Sequence, residues 1–259
     1  MLHPDLSISL AGLLVGFIVG LTGMGGGALM TPILVLLFHV QPLAAVSSDL
    51  VTSLVMKPFG GAIHLNRGTV RRDIALCLTV ASVPSAFAGV LLLKLVGSEH
   101  VDGFLKEAIG IALLASAGSM VVRSRIQRLR AKASDSGPAR LNVPATLAIG
   151  ALGGLLVGMT SVGSGSVIIV LLLLLYPALS SAELVGTDLI QAIPLVASAA
   201  FGHVLFGDVR LELTGWLLIG ALPGVLLGAH FSSRGGERYV RPALFVVLLA
   251  SGLKLVQLI

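Results

Sequence analysis

Eight apolar blocks limit what this chain can fold into. They run over 6–38, 43–65, 73–96, 104–122, 143–176, 182–206, 212–231 and 240–258. About 20 apolar residues in a helix cross roughly 30 Å of hydrocarbon. No water reaches the backbone there, so a spanning segment must satisfy its own N–H and C=O groups, as a helix does. The prediction is an all-α polytopic membrane protein. Only 11% of the residues are charged, where a soluble domain carries about 25%. With mean hydropathy at +1.02, a soluble enzyme, a disordered chain and a disulfide-stapled secreted module are excluded. Residues Met1 to Ser9 carry Asp5 and no Lys or Arg. A cleaved signal would want a basic start, so the first block is expected to stay as structure.

The net charge of +5 points to loops rather than to nucleic acid, because basic residues gather between the blocks and no nucleic-acid motif interleaves them with aromatics. The lone Cys77 lies in an apolar run and reports nothing about redox compartment. The longest basic stretch, 123–142, holds Arg123, Arg125, Arg128, Arg130, Lys132 and Arg140 against Asp135. It reads as a cytoplasmic linker between a first transmembrane repeat, 1–122, and a second, 143–259. The positive-inside rule puts it in the cytoplasm of a multi-pass protein of the cell membrane.

The two halves resemble each other. At an offset of 138, Gly12, Gly16, Gly20, Thr22, Gly25 and Gly27 fall on Gly150, Gly154, Gly158, Thr160, Gly163 and Gly165. After a one-residue slip, Asp49, His64, Gly68, Arg71 and Pro84 meet Asp188, His203, Gly207, Arg210 and Pro223. Chance would match Leu to Leu, not Gly, Asp, His and Pro in order, so an internal duplication is expected. The opening block of each half is interrupted, at Gly23-Met24-Gly25-Gly26-Gly27 and at Thr160-Ser161-Val162-Gly163-Ser164-Gly165-Ser166. Glycine clusters disfavour helix. Arms of about 11 residues are expected on each side, forming either a discontinuous helix or a re-entrant hairpin. Re-entrant hairpins leave 12 basic residues on inside loops and one outside, whereas spanning blocks give 10 and three. The hairpin is therefore preferred. It gives each half three further transmembrane helices, so the halves are inverted, with both termini outside.

Non-helical backbone at membrane depth persists where buried protein or a cavity satisfies it. Each break precedes a helical arm whose first N–H groups lack partners and whose dipole favours an anion. Gly25, Gly26, Gly27 and Gly165 would let an anion approach. Thr22, Thr160, Ser161, Ser164 and Ser166 add hydroxyls. Close helix packing is the plain alternative for such small residues. In the second block Asp49, Ser53, Lys57 and His64 share a helical face. An ionised group at bilayer centre costs at least ~2.5–3.5 kcal/mol, so Lys57 wants an anion: the substrate or Asp188. Asp49 and Asp188 read first as helix caps, and second, with His64 and His203, as candidates for coupling to a proton. Ser48 and Gln191 are candidate substrate contacts. There is no nucleotide-binding Gly-x-x-x-x-Gly-Lys loop, and no cofactor or metal is expected. Ser164 with His203 would suggest an intramembrane hydrolase, yet Gly26 stands opposite Ser164 in the duplication. The chain reads as no enzyme.

The break at 23–27 with Pro32 beyond it, and Ala45-Val46-Ser47-Ser48-Asp49-Leu50 through Lys57, His64 and Arg67-Gly68-Thr69-Val70, resemble the TauE/SafE sulfite-exporter family. The second half repeats the pattern in Val185-Gly186-Thr187-Asp188-Leu189 and Gly207-Asp208-Val209. The resemblance implies a bacterial inner-membrane permease for sulfite, sulfoacetate or related organosulfur anions, driven by an ion gradient. It also implies substrate contacts at the glycine-rich breaks and at the polar start of the second block of each half. Ser47-Ser48 departs from the usual Gly-Thr, and 161–166 is serine-rich rather than a glycine run. An ion-coupled permease or channel for another small solute is the alternative within the same class.

Overall fold

The computed structural model describes residues 4–22, 26–97, 100–130, 141–232 and 237–257. Gly23, Met24 and Gly25 of the first break lie outside them, as does the middle of the linker. The described residues form ten helices: α1 (Pro4–Thr22), α2 (Gly27–Leu36), α3 (Pro42–Asn66), α4 (Arg72–Val96), α5 (Val101–Arg130), α6 (Val143–Thr160), α7 (Val167–Leu175), α8 (Ser181–Phe206), α9 (Leu211–Ser232) and α10 (Glu237–Leu255). No strand occurs among them, only an isolated bridge between Gly163 and Gly165.

The arms around the breaks are unequal, which corrects the expected 11 residues on each side. α1 has 19 residues and α2 has 10, while α6 has 18 and α7 has nine. Before each break glycines recur every four residues, at 12, 16 and 20 and at 150, 154 and 158, and a helix absorbs them when its neighbours pack closely. α5 also runs further than its apolar block, through Arg130, so the linker begins as helix.

Among the described residues, five helices are long and apolar enough to cross a membrane, namely α4, α5, α6, α8 and α9. α3 is not among them, although its 25 residues are long enough. Ser47, Ser48, Asp49, Thr52, Ser53 and Lys57 dilute its apolar character, and all six are buried. A helix walled off by its neighbours need not be apolar, because protein rather than lipid is its solvent.

Glycine ladders fix how the helices run. α1 lies along α9 with residue numbers rising together: Gly12 faces Leu217, Gly16 faces Ala221 and Gly20 faces Val225, with Gly220, Gly224 and Gly228 answering from α9. A Cβ at Gly220 would sit 1.8 Å from the Ser9 carbonyl oxygen, so only hydrogen fits. α6 lies along α4 in the same way, Gly150 on Leu78, Gly154 on Ser82 and Gly158 on Ala86. Small residues at four-residue spacing bring backbones together where lipid offers no hydrophobic drive. α3 and α8 instead run antiparallel, Ser47 meeting His203 and Gly61 meeting Ile190. The starts of α3 and α9 meet through Ser48 and Arg210, and those of α8 and α4 through Thr187 and Arg71.

These contacts sort the long helices into two directions: α1, α3, α5 and α9 one way, α4, α6, α8 and α10 the other. α1 and α3 point alike, so α2 carries the chain back between them. α7 does the same between α6 and α8. Tyr176, just past α7, accepts the Asn142 backbone N–H at 3.0 Å and bonds the Thr146 hydroxyl, so α7 ends beside the start of α6.

Candidate anion site

The start of α2 and the second break meet inside the bundle. A Cβ at Gly27, the first residue of α2, would lie 1.9 Å from the Ser161 carbonyl oxygen, so the first half presses directly on the second break. Ser161 itself adopts the left-handed conformation at φ 60, and Gly163 and Gly165 follow at φ 133 and φ 84. Glycine tolerates that region at no steric cost, which lets residues 161–166 coil tightly instead of continuing the helix. Thr160 holds the turn, its hydroxyl donating to the Leu156 carbonyl at 2.7 Å and accepting the Val162 N–H at 3.2 Å. Thr22, at the end of α1, likewise donates to Ile18 at 2.7 Å. Both threonines serve their own backbone.

Three ionisable side chains stand around this junction. Asp49 and Asp188 are 1% exposed and Lys57 is 7% exposed. Each aspartate is the eighth residue of its helix, so neither caps an end as the sequence suggested; α8 is capped by Ser180 with Glu183. The helix starts are set elsewhere, by Pro42 and by that capping box. At 1.5 Å of rise per residue, the two carboxylates sit ~10 Å in from opposite ends of the bundle, and Lys57 lies between those levels.

Their partners differ. Asp49 accepts the Ser161 hydroxyl at 2.7 Å, Thr31 from α2 at 3.0 Å and Ser53 at 3.5 Å. Gly26 lies beside it, where a Cβ would come 3.3 Å from Ser53 Oγ. Asp188 accepts the backbone N–H of Gly165 at 2.6 Å and the Gln191 amide at 3.0 Å; Gln191 in turn accepts Ser82 at 3.3 Å. Lys57 donates to Ser164 Oγ at 2.8 Å. The ion pairs among the described residues are Arg71–Asp73 and Arg210–Asp208, so the contact of Lys57 is with a hydroxyl.

The amide groups of the second break are therefore not bare. Gly165 N–H goes to Asp188, and Ile168 N–H goes to the Gly163 carbonyl at 3.2 Å. Orphan donors in a low-dielectric interior are costly, and here the chain supplies its own carboxylate.

Other expected site residues lie further out. Ser48 accepts the Arg210 N–H at 3.3 Å, away from the breaks. His203 is fully buried and held at both nitrogens, 2.8 Å from Ser47 Oγ and 2.8 Å from the Gly158 carbonyl. The carbonyl can only accept, so Nε2 carries the proton and Nδ1 accepts from Ser47. His64, at the far end of α3, is 2.9 Å from the Thr69 hydroxyl.

A cavity of about 340 Å³ opens beside the second break. Gly165 and Ser166 form its inner end, Ser119, Arg123 and Ser124 one wall, and Val170, Phe245 and Val246 the apolar remainder. Ser166 is tied to Ser116 at 2.8 Å. Arg123 acts electrostatically on Asp188. The cavity lies toward the end of the bundle where the linker joins, because it is bounded by the last turns of α5 and the first of α10. Sequence reasoning assigned Arg123 to the linker and missed Ser116 and Ser119; their spacing of three and four along one helical face was the available signal. A smaller space of about 10 Å³ is bordered by Thr22, Ala28, Leu29 and Leu248 among others.

The apolar, membrane-length helices, packed around buried charges, define a multi-pass membrane protein. The chain belongs to the TauE/SafE sulfite exporter family: the family model described as "Sulfite exporter TauE/SafE" matches residues 8–255. It is similar to the probable membrane transporter protein YjnA of Bacillus subtilis (strain 168), 37% identical over 255 residues that cover 97% of this chain and all of that one. The probable membrane transporter protein YdhB of the same organism is 26% identical over 242 residues, 93% of this chain and 96% of that one. No solved structure matches.

Proposed function

We propose that this protein is a secondary-active transporter of sulfite or small organosulfur anions in the bacterial inner membrane. The anion site is at the second break, and two inverted repeats, each with a glycine-broken hairpin, alternate access to it. The observation that carries the reading is the cavity: it ends on Gly165 and Ser166, and Arg123 stands in its wall. A cation, hydroxyls and a backbone amide are the donors an oxyanion needs in a dry site. Lys57 supplies a further fixed positive charge one residue away, on Ser164. The inverted arrangement is supported by helix directions, since each helix of 4–130 runs opposite to its counterpart in 143–255, α3 against α8 most directly. With the basic linker in the cytoplasm, the cavity faces the cytoplasmic side. Asp49 and Asp188 are the candidates for taking up a coupling proton. His203, with both nitrogens bonded, reads as a clamp between halves.

The test is binding to the purified protein. A ligand at 100 times its Kd stabilises the folded state by about 2.7 kcal/mol, so thermal melts with sulfite, sulfate, sulfoacetate, taurine and carboxylates should rise for sulfite or the sulfonates. A flat panel would remove the anion reading.

One contact favours a second reading: Lys57 and Ser164 form a serine–lysine pair, an arrangement that hydrolases use. The lysine donates there, whereas a general base must accept the hydroxyl proton. Ser164→Ala abolishes a hydrolase and only modestly affects an anion site built on amides and cations.

A further inference from the structure

The amide that a bound anion would want is already taken by the protein's own anion. Asp188 Oδ2 lies 2.6 Å from Gly165 N, and Gly165 with Ser166 forms the inner end of the cavity. An incoming anion and the Asp188 carboxylate therefore compete for one donor at one place. We infer that Asp188 is a tethered occupant of the anion site, and that the anion displaces it from Gly165 only as the carboxylate takes up a proton, so that one proton enters with each anion. The inference rests on the anion-transporter reading and names how its coupling works.

Two negative groups a few ångströms apart in a buried site cannot both stay ionised. Asp188 is 1% exposed, and its other oxygen is held by Gln191, so the side chain has no water to retreat into. Protonation removes the repulsion without moving the helix. A carboxylic acid still bonds Gln191 and gives up Gly165 to the stronger acceptor. A hydronium ion in the cavity water gives up the proton: one of its O–H bonds breaks as the O–H bond on Asp188 forms, and neutral water is left.

The surrounding charges fit. Lys57 from α3 donates to Ser164, next to Gly165, and Arg123 from α5 lines the cavity, so both would face the anion once the carboxylate is neutral. His64 of α3 approaches Gly186, two residues earlier on α8. At the start of α4, Arg71 pairs with Asp73 at 2.8 Å, and Glu183 serves the α8 cap. α6 and α7 carry no ionisable side chain. Asp49 differs from Asp188 because hydroxyls from Ser161 and Thr31 hold it, whereas Asp188 holds the amide of Gly165, a residue that lines the cavity. Electroneutral movement of a monoanion follows.

The probe is ethanesulfonate, a monoanion whose charge is constant from pH 5.5 to 8.5. Its binding to the full-length protein in detergent should weaken at least tenfold from pH 5.5 to 8.5. A pH indicator in weakly buffered solution should record close to one proton taken up per anion bound. Asp188→Asn should bind at both pH values with no uptake, and Glu183→Gln should take up protons as the wild type does. Wild-type binding without proton uptake overturns the inference, and that measurement decides even if Asp188→Asn does not fold. Uptake that persists in Asp188→Asn also overturns it. Failure of the wild type to bind any sulfonate or sulfite at either pH removes instead the anion reading beneath it.

Discussion

The start of α2 and the second break meet inside the bundle, yet they differ in what surrounds them. α2 starts on Gly27 directly against the Ser161 backbone. At the second break, the chain coils through three residues of positive φ and borders a cavity of about 340 Å³. Their aspartates differ in the same sense. Asp49 is shared across the halves through Ser161, while Asp188 is bound by Gly165 of its own half. A glycine-rich interruption thus does not by itself make a site; what packs on it decides. On the alternating-access reading, the cavity at the second break describes a molecule open toward the linker side. The opposite state would exchange the two environments.

The largest expected effect tests the start of α2. Gly27→Ala pushes a methyl group into the Ser161 carbonyl, which belongs to backbone and cannot rotate away. We expect loss of about 4 kcal/mol or more, the size of severe steric or packing failures, read as loss of a monodisperse peak on size exclusion. Gly26→Ala meets Ser53 Oγ at 3.3 Å, a side-chain hydroxyl that can turn, and should cost under about 1 kcal/mol. If Gly27→Ala melts like the wild type, the start of α2 is no tighter than the second break.

Next comes the charge at the junction. Lys57→Met retains the stem and removes the ammonium that donates to Ser164. Hydrogen bonds to charged groups contribute about 1.5–3 kcal/mol, so sulfonate or sulfite binding should weaken roughly tenfold to a hundredfold while the protein stays monodisperse. Unchanged flux in proteoliposomes would detach Lys57 from the site and leave the cavity to Arg123 alone.

Much of this arrangement could be read from the chain. Apolar blocks located the helices, the glycine- and serine-rich run 161–166 falls between α6 and α7, and an eight-residue spacing put Asp49 and Lys57 on one face. Other features depend on packing. Nothing local in Ser116, Ser119 and Arg123 says that α5 passes the second break, and the basic residues after Arg123 look like loop until the helix is seen to run on to Arg130. Ser82 and Thr31 entered no expectation because their partners, Gln191 and Asp49, come from other helices. The aspartates looked like caps because periodicity places helix starts only to within a turn. The equal arms failed for a related reason: glycines spaced by four look disruptive in isolation, yet they are what α1 and α6 need to lie against α9 and α4.

The histidines sharpen the comparison at smaller scale. His203→Ala strips partners from both Ser47 and the Gly158 carbonyl, buried groups whose loss of a bond costs about 1–3 kcal/mol each. His64 is only partly buried, with Thr69 as its ring partner, so His64→Ala should cost less than about 1 kcal/mol. Chemical denaturation in detergent measures both. Equal losses would mean that the two ends of the α3–α8 contact are alike after all.

The least expected effect concerns Ser166 and Ser116, whose hydroxyls meet at 2.8 Å at the inner end of the cavity. Either alanine variant leaves one buried hydroxyl without its partner, and the double variant leaves none. Each single change should therefore cost about 0.5–1.5 kcal/mol, and the double should cost less than their sum, because neighbours that share a bond are not additive. Strict additivity in a double-mutant cycle would mean that water in the cavity already replaces the bond. Ser166 would then face solvent rather than α5, and the second break would be wider at its base than this geometry allows.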